Sequence, residues 1–595
     1  MRTVRTGVGL AAALAGMALA APLAAQAPGE PSAVIAPACN RDCLIDIVRR
    51  HMNALEMRDP SALPLANELM FAENNVALPL GKGLWATISE VDETGLEAAD
   101  PVTGHAAWFG SVRENGQPAF YAMRLHVTPE GLIDEIETVV HRRGSLPAPF
   151  GEWEDMEHFA EFNEVLPPEQ RRPRERLLAI ADAYFDTVEL NDGQVFAPFS
   201  EDCSRLENGI STTAPTPGST GGNAASIAQG CREQFELGIY RINKRIRRRL
   251  PLVDVERGVV VASGFFDHAN EFDRYNLTNG REMKTALKWP NSISLIEAFR
   301  IRNAEIQRIE ATFTYVPYFM HNPFWGEASN SPEYAPQPDE CSADCLGRNA
   351  RALMRGMVDN QWHSLPWAEE VGYAENSVGI RVGEGIWATV KAIDQDPLVV
   401  ADAASGKAVW IGRIEEHGQP AWAAVTMTAA GERIGNVDTL IRRKEYGAPY
   451  ADPVSAPDFA ALPTHRRTPR ANMLAAATRF YEAVEAKGGA PEIFAEQCRW
   501  IVDGADVGAC ASPFGGAELT DIEDIRHRTL LAADEERGLA VFSIFKDLPA
   551  TGGSDYPRTY QTVELFRFEG GQIYAVHAYT SELPFGMRPH GQNAW

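Results

Sequence analysis

The sequence predicts an α+β protein made of two tandem copies of one two-domain unit, four domains in the order A-B-A-B at residues 39–145, 173–321, 341–445 and 468–590. Three observations carry that prediction. Cys39 to Thr87 aligns with Cys341 to Thr389 without a gap, each unit opens on a segment with helical apolar spacing, and the B domains close on two strand-like runs joined by a tight turn. At 595 residues the chain exceeds what one core serves, since domains average roughly 150 residues.

Taken in order, Arg2 and Arg5 precede an apolar stretch from Val8 to Ala21, and small residues follow around Ala25 and Ala27. This is the layout of a secretory signal over residues 1–27, cleaved near Ala25 or Ala27. An uncleaved anchor is the competing reading, but Gly7, Gly9, Gly16 and Pro22 leave the stretch weakly hydrophobic. No later segment holds the ~18 uninterrupted apolar residues of a membrane span, so the mature chain is expected to be soluble, periplasmic or secreted.

The first A domain reads as a helix over 44–57, a strand at Phe71-Ala72-Glu73-Asn74-Asn75-Val76 and a closing strand over 131–137. In the first B domain, Leu177, Leu178, Ile180, Ala181, Tyr184, Phe185 and Val188 keep helical spacing over 176–190, and Gly193 stops the helix. Strands follow at 259–266, 293–301 and 306–316, the last two forming a hairpin. The second B domain repeats that hairpin over 562–568 and 572–580, where Gly570 and Gly571 supply the turn dihedrals.

The copies stay in register through Trp108-Phe109-Gly110 on Trp410-Ile411-Gly412, and through Glu297-Ala298-Phe299-Arg300 on Glu564-Leu565-Phe566-Arg567. Such a period is far too long for a solenoid, whose repeats are single supersecondary elements. Linkers rich in Pro and acidic residues are expected over 146–172, 322–340 and 446–467, and a Ser/Thr/Gly/Pro-rich loop over 211–222.

An N-terminal helix followed by a long sheet ending in a hairpin resembles the nuclear transport factor 2-like, or SnoaL-like, superfamily. The segment Val563-Glu564-Leu565-Phe566-Arg567-Phe568-Glu569-Gly570-Gly571-Gln572-Ile573 carries the resemblance most plainly. It implies four cones, each a curved antiparallel sheet wrapped around N-terminal helices and leaving an apolar pocket. Members include ketosteroid isomerase, scytalone dehydratase and limonene epoxide hydrolase alongside non-catalytic binders, so the fold cannot choose a function.

The net charge of −26 disfavours nucleic acid and anionic membranes as partners. The eight cysteines, Cys39, Cys43, Cys203, Cys231, Cys341, Cys345, Cys498 and Cys510, form an even set behind an export signal, which favours disulfides paired locally within each unit. Metal binding by the C-x-x-x-C pairs is the weaker reading, because His51 near the first pair is replaced by Leu353 near the second. No metal or organic cofactor is expected.

Acid/base chemistry in an apolar pocket needs a few titratable groups with shifted pKa values. Strand alternation puts Glu310 opposite Ile309 and Ala311, and His577 occupies the equivalent place in the second copy, so both are candidate general bases. A polar, solvated sheet face is the bland alternative. His268, beside Asp267, is a third candidate; its counterpart is Leu548. Tyr184, Tyr579, Trp85, Trp387, Asn74 and Asn376 are candidate substrate contacts, although buried Asn74 reads equally as a residue fixing the sheet and the tryptophans as core.

Gly-x-Ser-x-Gly, His-Glu-x-x-His and P-loop signatures are absent, as is a dinucleotide fingerprint in a strand-to-helix context. Two functions are therefore expected as alternatives. One is a cofactor-independent lyase, isomerase or hydrolase acting on a small, partly apolar molecule; the other is a non-catalytic ligand-binding or scaffold protein. The oligomeric state is left open.

Overall fold

The structure, a computed structural model, describes residues 39–592 apart from 144–149, 153–155, 214–229, 286, 327–337, 445–449, 452–458, 515–518, 520 and 552–555. The expected signal at 1–27, most of the 211–222 loop and parts of the three linkers lie outside the described residues. Among the described residues no helix is long and apolar enough to cross a membrane.

The helix Arg41–Glu56 starts where Asn40 caps it, its side chain accepting from the Cys43 N–H at 3.0 Å. Leu44, Val48, Met52 and Leu55 form its buried stripe. That stripe packs on one face of a seven-stranded sheet, sheet I, together with Trp85, Tyr121, Met123 and Ile136. Sheet I runs in the order Val76–Ala77, Leu65–Glu73, Ile133–Arg142, Gln117–Val127, His105–Glu114, Ile88–Val91, with Leu96–Asp100 also paired to His105–Glu114. Asn115 (φ 47°) and Gly116 (φ 78°) close the central hairpin in the left-handed region that a two-residue turn demands.

Sheet II is six-stranded: Arg245–Asp254, Val259–His268, Asn291–Arg302, Glu305–Val316, Phe199–Glu207 and Ile210–Ser211 in spatial order. The helix Arg174–Leu190 packs on it through Leu177, Ile180, Tyr184, Phe185 and Val188. Sheet III, seven-stranded within residues 367–442, repeats the order of sheet I, and sheet IV, six-stranded within 494–584, repeats that of sheet II. All eight cysteines are paired as Cys39–Cys43, Cys203–Cys231, Cys341–Cys345 and Cys498–Cys510.

This architecture corrects the expected fold class. Among the described residues the protein is mainly β, 45% strand against 20% helix, in separate mixed sheets, and the α+β cone of an antiparallel sheet wrapping N-terminal helices is not what forms. Two physical causes account for the difference. The first long strand of each of these four sheets lies parallel to the last, as in Phe71↔Ile136 and Arg308↔Ser204, so none of the four is purely antiparallel. The second face of each sheet is also apolar, and a neighbouring sheet covers it. Leu96, Ala98, Phe109, Ala122 and Val139 of sheet I meet Leu252, Val259, Val261, Ile296 and Ala298 of sheet II. Burial of such side chains contributes about 1.5–3 kcal/mol for each large one, which ties the two sheets face to face. Sheets III and IV pack the same way through Val400, Val409, Ile411, Val541, Leu565 and Tyr579.

The two halves also cross. Asn115 of sheet I donates to the Ala550 carbonyl beside sheet IV at 3.0 Å, while His417 of sheet III meets the Asn270 carbonyl beside sheet II at 2.7 Å. The four sheets thereby enclose a pseudo-twofold centre, and strand ends from each converge there.

Candidate functional site

A cleft of about 160 Å³ opens at that centre. Glu73, Asn74, Val140 and Arg142 enter it from sheet I, and Asn376, Ile441 and Arg443 from sheet III. Sheet II contributes Trp289-Pro290-Asn291 and Thr314 to Pro317, and sheet IV the matching Tyr556-Pro557-Arg558 and Ser581 to Phe585. The prolines fit these strand ends, where no ladder N–H is required.

Asn74 and Asn376 end their strands in the left-handed region, φ 49° and 45°. The Asn74 amide bridges to the last strand, donating to the Val140 carbonyl at 3.1 Å and accepting from the Val140 N–H at 2.8 Å. Asn376 does the same with Ile441. Asn208 bridges to Phe313 in sheet II, and Asp503 takes the N–H of Thr580 in sheet IV. The four sheets thus share one device that extends the parallel pairing beyond the end of the first strand.

Beside each asparagine lies a buried ion-pair network. Arg142 donates from Nε to Glu114 at 2.5 Å and from Nη2 to Glu73 at 2.8 Å. Glu114 also accepts from the Thr87 hydroxyl at 2.6 Å, and Glu73 from the Leu84 N–H at 2.7 Å. Sheet III reproduces this with Arg443, Glu416, Glu375, Thr389 and the Ile386 N–H. Burial works against the Arg142 charge, but Glu114 and Glu73 outweigh it and hold the guanidinium above its ordinary pKa. Burial likewise raises the Glu375 carboxyl, against the opposing pull of Arg443. Each of these carboxylates is thus held by an arginine together with a second donor from its own sheet's helical turn.

The cleft is symmetric in backbone and asymmetric in decoration. One wall carries Trp289, Asn291 and Tyr315, and the opposite wall carries Tyr556, Arg558 and Glu582 at the matching places. The Tyr556 hydroxyl donates to Glu582 at 2.7 Å, and the Arg558 guanidinium lies 5.3 Å from the Tyr556 ring centre and 5.4 Å from that of Tyr560. A charged, aromatic-backed end thus faces a neutral aromatic one.

The residues singled out from sequence do not converge. Glu310 is buried outside the cleft, accepting from the Phe159 N–H at 2.7 Å and meeting His158 Nδ1 at 2.6 Å. His577 stands edge-on to Phe459 at 5.8 Å, and burial lowers its pKa to about 4. His268 is buried, bonded to Asn291 Oδ1 at 3.0 Å, and burial lowers its pKa despite that bond. It thus touches a cleft residue from behind. Tyr184 donates to Glu297 at 3.1 Å inside sheet II, and Tyr579 packs on Trp422 between sheets III and IV. Trp85 and Trp387 are core residues. Of the nine, only Asn74 and Asn376 line the cleft.

Sequence reasoning missed Arg142 and Arg443 because a one-residue slip separates them from the register of Glu73 and Glu375. It also missed Trp289-Pro290-Asn291 and Tyr556-Pro557-Arg558, whose repeated proline was the available signal. A smaller cavity of about 110 Å³, between sheets I and II, is lined by His105, Arg124, His126, Glu135, Glu137 and Arg249 among others. Among the described residues no group of three or more His, Cys, Asp or Glu is placed to hold a metal ion.

The family described as Domain of unknown function (DUF8021) matches this chain twice, at residues 170–313 and 466–580. Those spans hold sheets II and IV with their helices. No curated protein matches the chain. The crystal structure of AclR from Streptomyces galilaeus is similar over 25% of this chain and 83% of its own, at 12% identity and a TM-score of 0.16, a likeness too slight to bear on fold or activity.

Proposed function

We propose that this chain, which carries the DUF8021 domain twice, is an exported protein that binds a small, partly apolar molecule in the central cleft without transforming it. One observation carries the reading. The cleft combines aromatic and proline walls with a charged end, Arg558 and Glu582, while the carboxylates of its ion-pair networks are held by Arg142 and Arg443. Such a site orients a ligand, its polar head at Arg558 and its apolar body against Trp289 and Tyr315. Export is supported by the N-terminal sequence and the four disulfides, which persist in oxidising compartments.

The test is native mass spectrometry of the mature protein purified from its producing cell. A small molecule copurifying with the parent chain, and lost from Arg558→Ala and Trp289→Ala variants of unchanged fold, is the expected result. A bound molecule retained equally by both variants overturns the cleft as its site.

A second reading, an acid/base enzyme without cofactor, is favoured by one specific pair. Burial pushes the Glu297 carboxyl up to about 8, opposed by Arg205, and Tyr184 donates to it from the helix above. That reading requires Glu297→Gln to abolish turnover of a substrate whose binding it leaves intact.

A further inference from the structure

One set of the contacts that cross between the halves is paired by position and reversed in charge. Where sheets I and IV meet, Lys82 bonds Glu523 at 3.1 Å. At the equivalent meeting of sheets III and II, the position of Lys82 is held by Glu384, which takes Arg245 at 2.6 Å and the Tyr318 hydroxyl at 3.0 Å. The opposing segments are reversed as well. Lys244-Arg245 opens its strand where Glu523-Asp524 opens the other, and both Lys244 and Glu523 donate their N–H to the carbonyl of the matching aspartate, Asp267 and Asp547.

Shape is reversed too. Gly586 (φ 80°) and Phe319 (φ 61°) are equivalent, since the N–H of each donates at 2.9 Å to the hydroxyl of Thr559 or Ser292. A Cβ on Gly586 would sit 2.3 Å from Leu78 Cδ2, so the first crossing needs glycine there. The second crossing has Phe319 in its place, with the Arg245 and Arg247 guanidiniums each 4.5 Å from its ring centre.

We propose that these contacts, and not the linker between the halves, choose the pairing. Each half is an exclusive partner for the other and is barred from pairing with a second copy of itself. Two first halves would set Lys82 against Lys244 and Arg245, and Leu78 against Phe319. Two second halves would set Glu384 against Glu523 and Asp524. Like charges brought face to face disfavour both arrangements, and the missing glycine adds a steric penalty to the first. The consequence reaches the cleft. Like pairs would build a cleft with two Arg558–Glu582 ends or with none, whereas the unlike pair builds one cleft with two different ends.

The full chain tests this once a specific protease site is placed between residues 327 and 337 and cut after folding. The two halves differ in mass, so native mass spectrometry distinguishes unlike from like pairs directly. After prolonged incubation in mild denaturant, the unlike pair is expected as the sole assembled species. In the same cut protein carrying Lys82→Glu, Glu523→Lys and Asp524→Arg, the charge bar is removed from both like pairings, and pairs of second halves, which carry Gly586 and so have no steric bar, are expected to appear. Like pairs in the parent protein, or its separation into single halves on cutting, would overturn the proposal. A charge-exchanged protein that still forms unlike pairs alone would overturn the assignment of the choice to these charges.

Discussion

The His51 imidazole stands edge-on to the Trp85 indole with ring centroids 5.3 Å apart, and neither ring nitrogen of His51 has a hydrogen-bond partner among the described residues. Burial lowers the His51 pKa to about 3, so the folded protein holds it neutral. The second half has Leu353 at the same place. His51→Leu is expected to stabilise the protein by about 1–3 kcal/mol, the desolvation penalty of unsatisfied polar atoms, as read by denaturant unfolding.

That substitution also has a pH signature. Between the folded value of about 3 and the ordinary 6.5, the unfolded chain binds a proton that the folded chain refuses, so stability falls as pH drops through this window. Unfolding curves at pH 7 and pH 4 are expected to show a larger gain from His51→Leu at pH 4. An equal gain at both values would show that the imidazole is not held neutral.

Glu297 carries the opposite sign. Its carboxyl, raised to about 8 from 4.5, keeps a proton in the folded state that the unfolded chain has released, so its contribution is lost as pH rises from 4.5 towards 8. Glu297→Gln is expected to raise Tm at pH 8 relative to the parent and to change it little at pH 4, in calorimetric scans.

Removing Arg142 leaves Glu73 and Glu114 buried without their cation. Arg142→Ala is expected to cost about 3–5 kcal/mol, and Arg443→Ala a similar amount in the other half. Replacing Glu114 by Gln together with Arg142→Met should recover part of the loss, since Glu73 alone is then left without its cation. Chemical denaturation of the three variants decides it.

The disulfides differ in the loops they close. Cys203–Cys231 spans 28 residues and Cys39–Cys43 only 4. Loop-closure entropy then predicts losses of about 3.5 and about 2 kcal/mol on paired Cys→Ser replacement. Urea midpoints of the two double variants check the order.

Much of the secondary structure was legible in the sequence because it rests on local rules. The apolar stripe of Arg174–Leu190 and the hairpin of Asn291–Arg302 with Glu305–Val316 follow from side-chain period and turn chemistry. Asn74 and Asn376 were legible as a retained pair, though only their bridging to Val140 and Ile441 explains the retention. For Glu310, alternation says which residues share a face, and does not say that a linker residue such as His158 covers that face.

The sequence by itself determined the doubling, the helices, the hairpins and an even cysteine set suited to disulfides, all of which are written in period, spacing or internal likeness. Only the tertiary structure decided that each first strand lies parallel to the last, that sheets pack on sheets, and that the halves cross to bring Arg142, Arg443 and Arg558 to one cleft. Those outcomes depend on which apolar faces find each other and on charges matched between residues hundreds of positions apart, as between Lys82 and Glu523, and no local pattern encodes such a meeting.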